Sequence, residues 1–264
     1  MPSYTAKDIQ RLRQETGAGM LDCKQALEET GGDFEAAKKL LREQGKVGAA
    51  KRSDREAGQG AVAAVRSDGV AALVELRCET DFVAKADAFV SLADELAALV
   101  AAKGPEAVSE LDGEVEQLRS TLKENISVGR VERLVAGSGE VVDTYVHQQA
   151  GRGVNAVAVV LAGGTEALAH DIAVHIAFAR PVALSRDEIP AEQVEAERAT
   201  LETLSRNEGK PEAALPKIVE GRMNGWFKER VLPEQSYAKD EKRTIADLLG
   251  DARVVRFAQV VVGS

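Results

Sequence analysis

The chain has 264 residues, 44% of them hydrophobic and 29% charged, with a formal net charge of −9. That length predicts about two domains. The acidic balance argues against a phosphate-backbone binder, which needs a basic surface, and suits a protein that meets other proteins. Aromatic residues make up only 4%, so the cores are expected to be built from Ala, Val and Leu. No apolar run approaches the ~20 residues of a membrane span. The N-terminal residues Met1 to Asp8 lack the apolar stretch of a signal peptide. Cys23 and Cys78 form no C-x-x-C pair and read as buried thiols of a reducing compartment. The expected location is cytoplasmic, with no membrane contact.

Residues 1–54 read as three short helices on a linker. Thr5 followed by Asp8 is a capping-box-like start, and Ile9 and Leu12 share one face. Gly17-Ala18-Gly19 ends that helix, and a second carries Met20, Leu21 and Leu27. Gly31-Gly32 stops the second, and Asp33 caps a third with Phe34, Ala37, Leu40 and Leu41. The polar and basic run Lys46 to Arg55 follows.

From Gly60 the period changes to two. Ala61 to Arg66 and Val70 to Glu79 predict two strands joined at Ser67-Asp68-Gly69, a hairpin signal. Val70, Ala72, Val74, Leu76 and Cys78 would share a buried face, with Glu75, Arg77 and Glu79 on a wet one. A helix from Phe82 to about Ala102 is expected next, with Phe89, Leu92, Leu96 and Leu99 on its apolar stripe.

A similar order recurs. Glu140 to His147 and Val154 to Leu161 predict strands, and Thr165 caps a helix with Leu168, Ile172, Ile176 and Ala179 that ends before Pro181. Strand, strand, helix occurring twice suggests a duplicated α+β core, although such units also arise independently. Residues 55–139 and 140–264 would then be its two subdomains. Between about 190 and 230 two charged helices predict an antiparallel hairpin, with Pro211 in the first turn of the second. It reads either as a projecting arm or as a pair lying on the core. Val254 to Val262 predicts a last strand that returns to the second sheet.

Enzymatic chemistry finds little support. There is no G-x-x-x-x-G-K-[ST] loop. Gly151-Arg152-Gly153-Val154-Asn155-Ala156 fits a loose G-x-G-x-x-A, but it precedes a strand rather than a helix, so the phosphate-binding geometry is missing. His170 and His175 are five apart, off the spacing that pairs ligands on one helix face. No nucleophile elbow or marked acid–base pair occurs, so no cofactor, metal or catalytic residue is expected.

The remaining signal is Thr80-Asp81-Phe82-Val83-Ala84-Lys85 at a strand-to-helix junction. An acid beside an aromatic there can point both side chains outward, and an exposed Phe gains stability only when a partner buries it. This segment, extended back through Cys78-Glu79, resembles the signature of bacterial elongation factor Ts. So do Leu12-Arg13 and Thr16-Gly17-Ala18-Gly19-Met20-Leu21-Asp22-Cys23-Lys24, and further on Gly209-Lys210-Pro211 and Ile218-Val219-Glu220-Gly221-Arg222-Met223. Residues of about 103–139 and those after about 231 match only in outline.

The resemblance implies a ubiquitin-associated-like (UBA-like) three-helix module, a two-subdomain α+β core and an inserted helical hairpin. It implies guanine-nucleotide exchange on the GTPase elongation factor Tu, with no direct nucleic-acid contact. On that basis Phe82 would wedge between helices of the GTPase domain. Asp81 would disturb its Mg²⁺ and phosphate network, with Thr80 and Val83 capping and positioning. Leu12, Met20 and His147 would add secondary contacts. From the residues alone, Phe82 reads first as a core partner of Phe89, while Leu12 and Met20 read equally as core of the small module. The hairpin is available for a homodimer, for a 2:2 complex or for leaning on the partner. Two other readings stay open: an adaptor that binds through the UBA-like module, and a small-molecule enzyme using core carboxylates.

Overall fold

The computed structural model describes residues 4–16, 18, 20–52 and 56–264, and of residues 20, 21 and 45–52 the backbone alone. Helices α1 (Ala6–Thr16), α2 (Met20–Glu29) and α3 (Phe34–Arg52) pack through Leu12, Cys23, Ala26, Leu27 and Ala37. Thr5 and Asp8 satisfy each other's backbone at the start of α1, with Thr5 N donating to Asp8 Oδ2 at 2.8 Å and Asp8 N to Thr5 Oγ1 at 3.3 Å. Asp33 Oδ1 accepts from Ala36 N at 3.0 Å and opens α3. That helix continues to Arg52, so most of the run expected as linker is helical.

Strands β1 (Gln59–Ser67) and β2 (Val70–Cys78) form a hairpin closed by Asp68 (φ 48°) and Gly69 (φ 74°). Two successive left-handed residues match the twist of the flanking strands. After β2 come α4 (Asp81–Ala84), α5 (Asp87–Lys103), a 3₁₀ stretch Pro105–Leu111, α6 (Asp112–Leu122) and β3 (Ser127–Val135). β3 pairs antiparallel with β2, so the first sheet has order β1-β2-β3 rather than being a bare hairpin.

The second sheet has order β4-β5-β8, from β4 (Glu140–Gln149), β5 (Arg152–Ala162) and the distant β8 (Arg253–Val261). The last strand does return to it, pairing Asn155 with Val261. Helix α7 (Glu166–Ala179) follows β5, capped by the Thr165 hydroxyl accepting from Leu168 N at 3.2 Å. The charged pair α8 (Ala191–Asn207) and α9 (Leu215–Arg230) pack on each other through Val194, Leu201, Val219, Met223 and Phe227. Pro211 precedes a 3₁₀ turn, and Pro216 takes the first-turn place in α9. The tail adds the small hairpin β6 (Ser236–Tyr237) and β7 (Asp240–Thr244), then α10 (Ile245–Leu249) with a full Thr244–Asp247 capping box.

The two sheets stack face to face. Val62, Ala71 and Leu73 of the first meet Val142, Ala156, Ala158, Val160 and Val260 of the second. Helix α5 covers the outer face of the first sheet through Phe89, Leu92, Leu96 and Val100, and α7 covers that of the second through Ile172 and Ile176. The result is a four-layer α+β arrangement. It corrects the expected wet face of β2: Glu75 is wholly buried, because that face meets the second sheet. Its carboxylate accepts from Arg77 Nε at 2.8 Å, Arg130 N at 3.2 Å and Gly263 N at 3.0 Å, which offsets the cost of burying the charge.

Candidate functional site

The strand-to-helix junction after β2 is built from a cap, a short helix and a break. Thr80 is extended (φ −121°, ψ 154°), and its hydroxyl accepts from Val83 N at 3.4 Å. Helix α4 is only four residues long, far below what holds together alone. It survives through its anchors: Ala84 is fully buried in the first core, Val83 packs against the same core, and the Cys78 thiol donates to Thr80 O at 3.2 Å. Burial pushes that thiol up to about 12, so it stays protonated at neutral pH.

With Val83 and Ala84 turned inward, Asp81 and Phe82 turn out. Phe82 is 83% exposed. Asp81 pairs with Lys85 Nζ at 2.5 Å, and that hydrogen bond holds its carboxyl below the usual carboxylate range. The helix expected from Phe82 to about Ala102 is in fact two. Ala86 is extended (φ −67°, ψ 134°), and α5 starts afresh at Asp87. Phe82 and Phe89 therefore do not share a helix face.

The secondary residues separate. Leu12 is wholly buried in the core of α1–α3, so it has no surface to offer a partner while those helices stay packed. Met20 opens α2, and its side chain lies outside the described residues. His147 is exposed near the end of β4.

His147 stands at the same end of the sandwich as Phe82. It pairs with Asn155, close to the Ala150–Gly151 turn that joins β4 to β5. From that turn the buried Arg152 crosses between sheets, donating to Gly60 O and to Gln59 Oε1 (3.2 Å). Gln59 is the register partner of Cys78, two residues before Thr80. The loose glycine motif thus has a packing cause. A Cβ on Gly153 would sit 2.2 Å from Val62 O, so glycine is what lets the sheets approach.

Two exposed residues at this end escaped the sequence reading. Phe178 is 78% and Val182 64% exposed. His170 Nδ1 lies 2.8 Å from Asp143 Oδ2 and ties α7 alongside β4. Eight helical residues on from His170 is Phe178, and four strand residues on from Asp143 is His147. Both steps span about 12–13 Å, so the two residues stand at similar heights on adjacent elements. Helical periodicity alone could have flagged Phe178 as off the Ile172–Ile176 stripe.

Among the described residues no group of three His, Cys, Asp or Glu side chains could hold a metal ion, and no helix is long and apolar enough to cross a membrane. His170 and His175 serve separate contacts, with Asp143 and Gln235.

Residues 79–264 match the family model described as "Elongation factor TS". The chain is 46% identical over 278 residues to Elongation factor Ts of Clavibacter michiganensis subsp. michiganensis, covering 100% of both. It is 44% identical over 281 residues to that of Micrococcus luteus and 43% over 278 to that of Kineococcus radiotolerans, again covering 100% of each chain. Across its whole length, with its exposed Asp81–Phe82 junction inside the matched region, the chain belongs to the bacterial elongation factor Ts family of translation elongation factors.

Proposed function

We propose that this chain binds elongation factor Tu carrying GDP and speeds GDP release, so that GTP can reload. The observation that carries the reading is Phe82, 83% exposed on a helix anchored in the core through Val83 and Ala84. Burying a Phe side chain stabilises a complex by about 1.5–3 kcal/mol. Phe82 lodges between helices of the GTPase domain, and Asp81 beside it brings a carboxylate toward the partner's Mg²⁺ and phosphates. A bound Mg²⁺ is the dominant local charge of such a site, so displacing it loosens the nucleotide. Linkage sets the terms: by whatever factor the exchange factor weakens GDP, GDP weakens the exchange factor. Each ~1.4 kcal/mol removed from the release barrier speeds release about tenfold.

In this reading Thr80 and Val83 cap and anchor the wedge. His147 adds a contact from the second sheet, Met20 one from the three-helix module, and Leu12 acts only by holding that module together. The module is UBA-like and ends near residue 54. The two sheet-and-helix halves form subdomains meeting near residue 139, and the α8–α9 pair serves as the inserted hairpin, available for dimer or partner contact. The chain works in the cytoplasm, as a binding protein and not as an enzyme.

The test is release of a fluorescent GDP analogue from purified elongation factor Tu, with the intact chain and with Phe82→Ala. Strong acceleration that falls at least tenfold in the variant supports both function and wedge. No acceleration by the intact chain overturns the reading, and equal acceleration by both chains removes the wedge from it.

A further inference from the structure

We propose that Glu124, in the turn between α6 and β3, is the positioning residue that holds the Asp81–Phe82 element in its outward geometry. This rests on the exchange reading above.

The turn comes from a different part of the chain than the motif it serves. Helix α6 ends at Leu122, Lys123 reverses the chain in a left-handed conformation (φ 61°), and Asn125 and Ile126 are buried as β3 begins. This delivers the Glu124 carboxylate to the end of β2. Oε2 accepts from Glu79 N at 3.1 Å and from Thr80 N at 3.0 Å, and Oε1 accepts from the Thr80 hydroxyl at 2.5 Å. In return, Glu79 Oε1 accepts from Asn125 N at 2.7 Å.

Those three donors are the ones that decide where α4 starts. The amides of Glu79 and Thr80 leave the strand ladder there, and without an acceptor they would turn to water in varied geometries. A charged acceptor makes stronger hydrogen bonds than a neutral one. The Thr80 hydroxyl has a single proton, and giving it to Glu124 turns the oxygen's lone pairs toward Val83 N, the cap bond of α4. Glu124 therefore fixes the rotamer of the cap, the cap fixes α4, and α4 aims Phe82. A four-residue helix cannot hold its own direction, so this cap acts together with the burial of Val83 and Ala84 to set it. Sequence spacing gives no hint of this, because Glu124 lies 44 residues from Thr80.

The experiment compares intact chain, Glu124→Ala, Glu124→Gln, Phe82→Ala and the Phe82→Ala/Glu124→Ala double variant for maximal GDP release from elongation factor Tu. Thermal unfolding and amide hydrogen exchange of residues 79–86 are read alongside. Glu124→Ala is expected to remain folded, to lose protection at Val83 and to lower the maximal rate about tenfold. Glu124→Gln should recover part of that loss, since a carboxamide oxygen can still accept from the two amides. The double variant should be no slower than Phe82→Ala alone, because a residue acting through Phe82 has nothing left to act on. A purely structural defect would instead add to the Phe82 loss. A folded Glu124→Ala as fast as the intact chain, or additive losses in the double variant, would overturn the role of Glu124 and leave the exchange reading standing. An intact chain that does not accelerate release would overturn the exchange reading and this role with it.

Discussion

Phe82 and Phe89 are seven residues apart and occupy opposite environments: Phe82 is 83% exposed, and Phe89 is fully buried under the first sheet. On one continuous helix they would point nearly the same way. The break at Ala86 rotates one against the other, so a single run of sequence supplies both a core anchor and an exposed aromatic.

Their replacement should therefore separate stability from function. Phe82→Ala is expected to change unfolding free energy by less than about 0.5 kcal/mol, as a surface substitution. Phe89→Ala should cost about 3–5 kcal/mol through lost burial and the cavity left behind. Urea unfolding of the two variants checks this, and a large loss in Phe82→Ala would mean that its side chain supports the fold.

The contact between sheets has a similar test at Gly153. Its neighbour across the interface is Val62 O, 2.2 Å from where a Cβ would stand. Backbone cannot swing aside as a flexible side chain can, so Gly153→Ala should destabilise by about 1–3 kcal/mol. The expected readout is a lower urea midpoint with an unchanged slope. An unaffected midpoint would show that the sheets can part at no cost.

His175 makes the fold sensitive to acid. Its ring is 1% exposed; Nδ1 accepts from Ala238 N at 3.2 Å, and Nε2 is 3.0 Å from Gln235 Oε1. This arrangement suits the neutral ring with its proton on Nε2, and burial lowers its pKa from 6.5. A folded pKa below the unfolded one contributes stability that is present above about pH 6.5 and is lost as pH falls through the folded value. Unfolding midpoints measured between pH 7.5 and 5 should fall. The His175→Gln chain, lacking that titration, should show a flatter profile over the same window.

Lys123 sits at φ 61°, where a non-glycine residue is strained by about 1–2 kcal/mol. Its ion pair to Asp22 of α2, at 3.4 Å, is exposed on both sides and worth about 0–1 kcal/mol. The strain outweighs the pair, so Lys123→Gly should leave stability unchanged or raise it by up to about 1 kcal/mol. A clear loss in thermal unfolding would reveal that the link to the three-helix module matters more than its exposure suggests.

Much of this was legible in local sequence. Thr5–Asp8, Asp33 and Thr165 do cap the helices they were expected to cap, because a cap needs only a side chain and an amide three residues on. Period-two runs located β1, β2, β4, β5 and β8 to within a few residues. The Thr80–Lys85 segment stood out because an acid, an aromatic and a cap fall together. β3 was missed because Arg130, Glu132 and Arg133 interrupt the apolar run of Ser127–Val135, an edge strand of mostly half-buried residues, which blurs its alternation.

Other features were settled only by tertiary packing. Whether Glu75 faces water depends on a second sheet contributed by residues beyond 140, and whether Leu12 is surface or core depends on two further helices. The direction of Phe82 depends on Ala86 ending a helix that the apolar pattern would continue, and on Glu124 reaching Thr80 from 44 residues away. Local sequence determined most of the helix and strand segments, since propensity, capping and periodicity act within a few residues. Burial and orientation were decided by the fold, because they depend on groups that become neighbours only when distant segments meet.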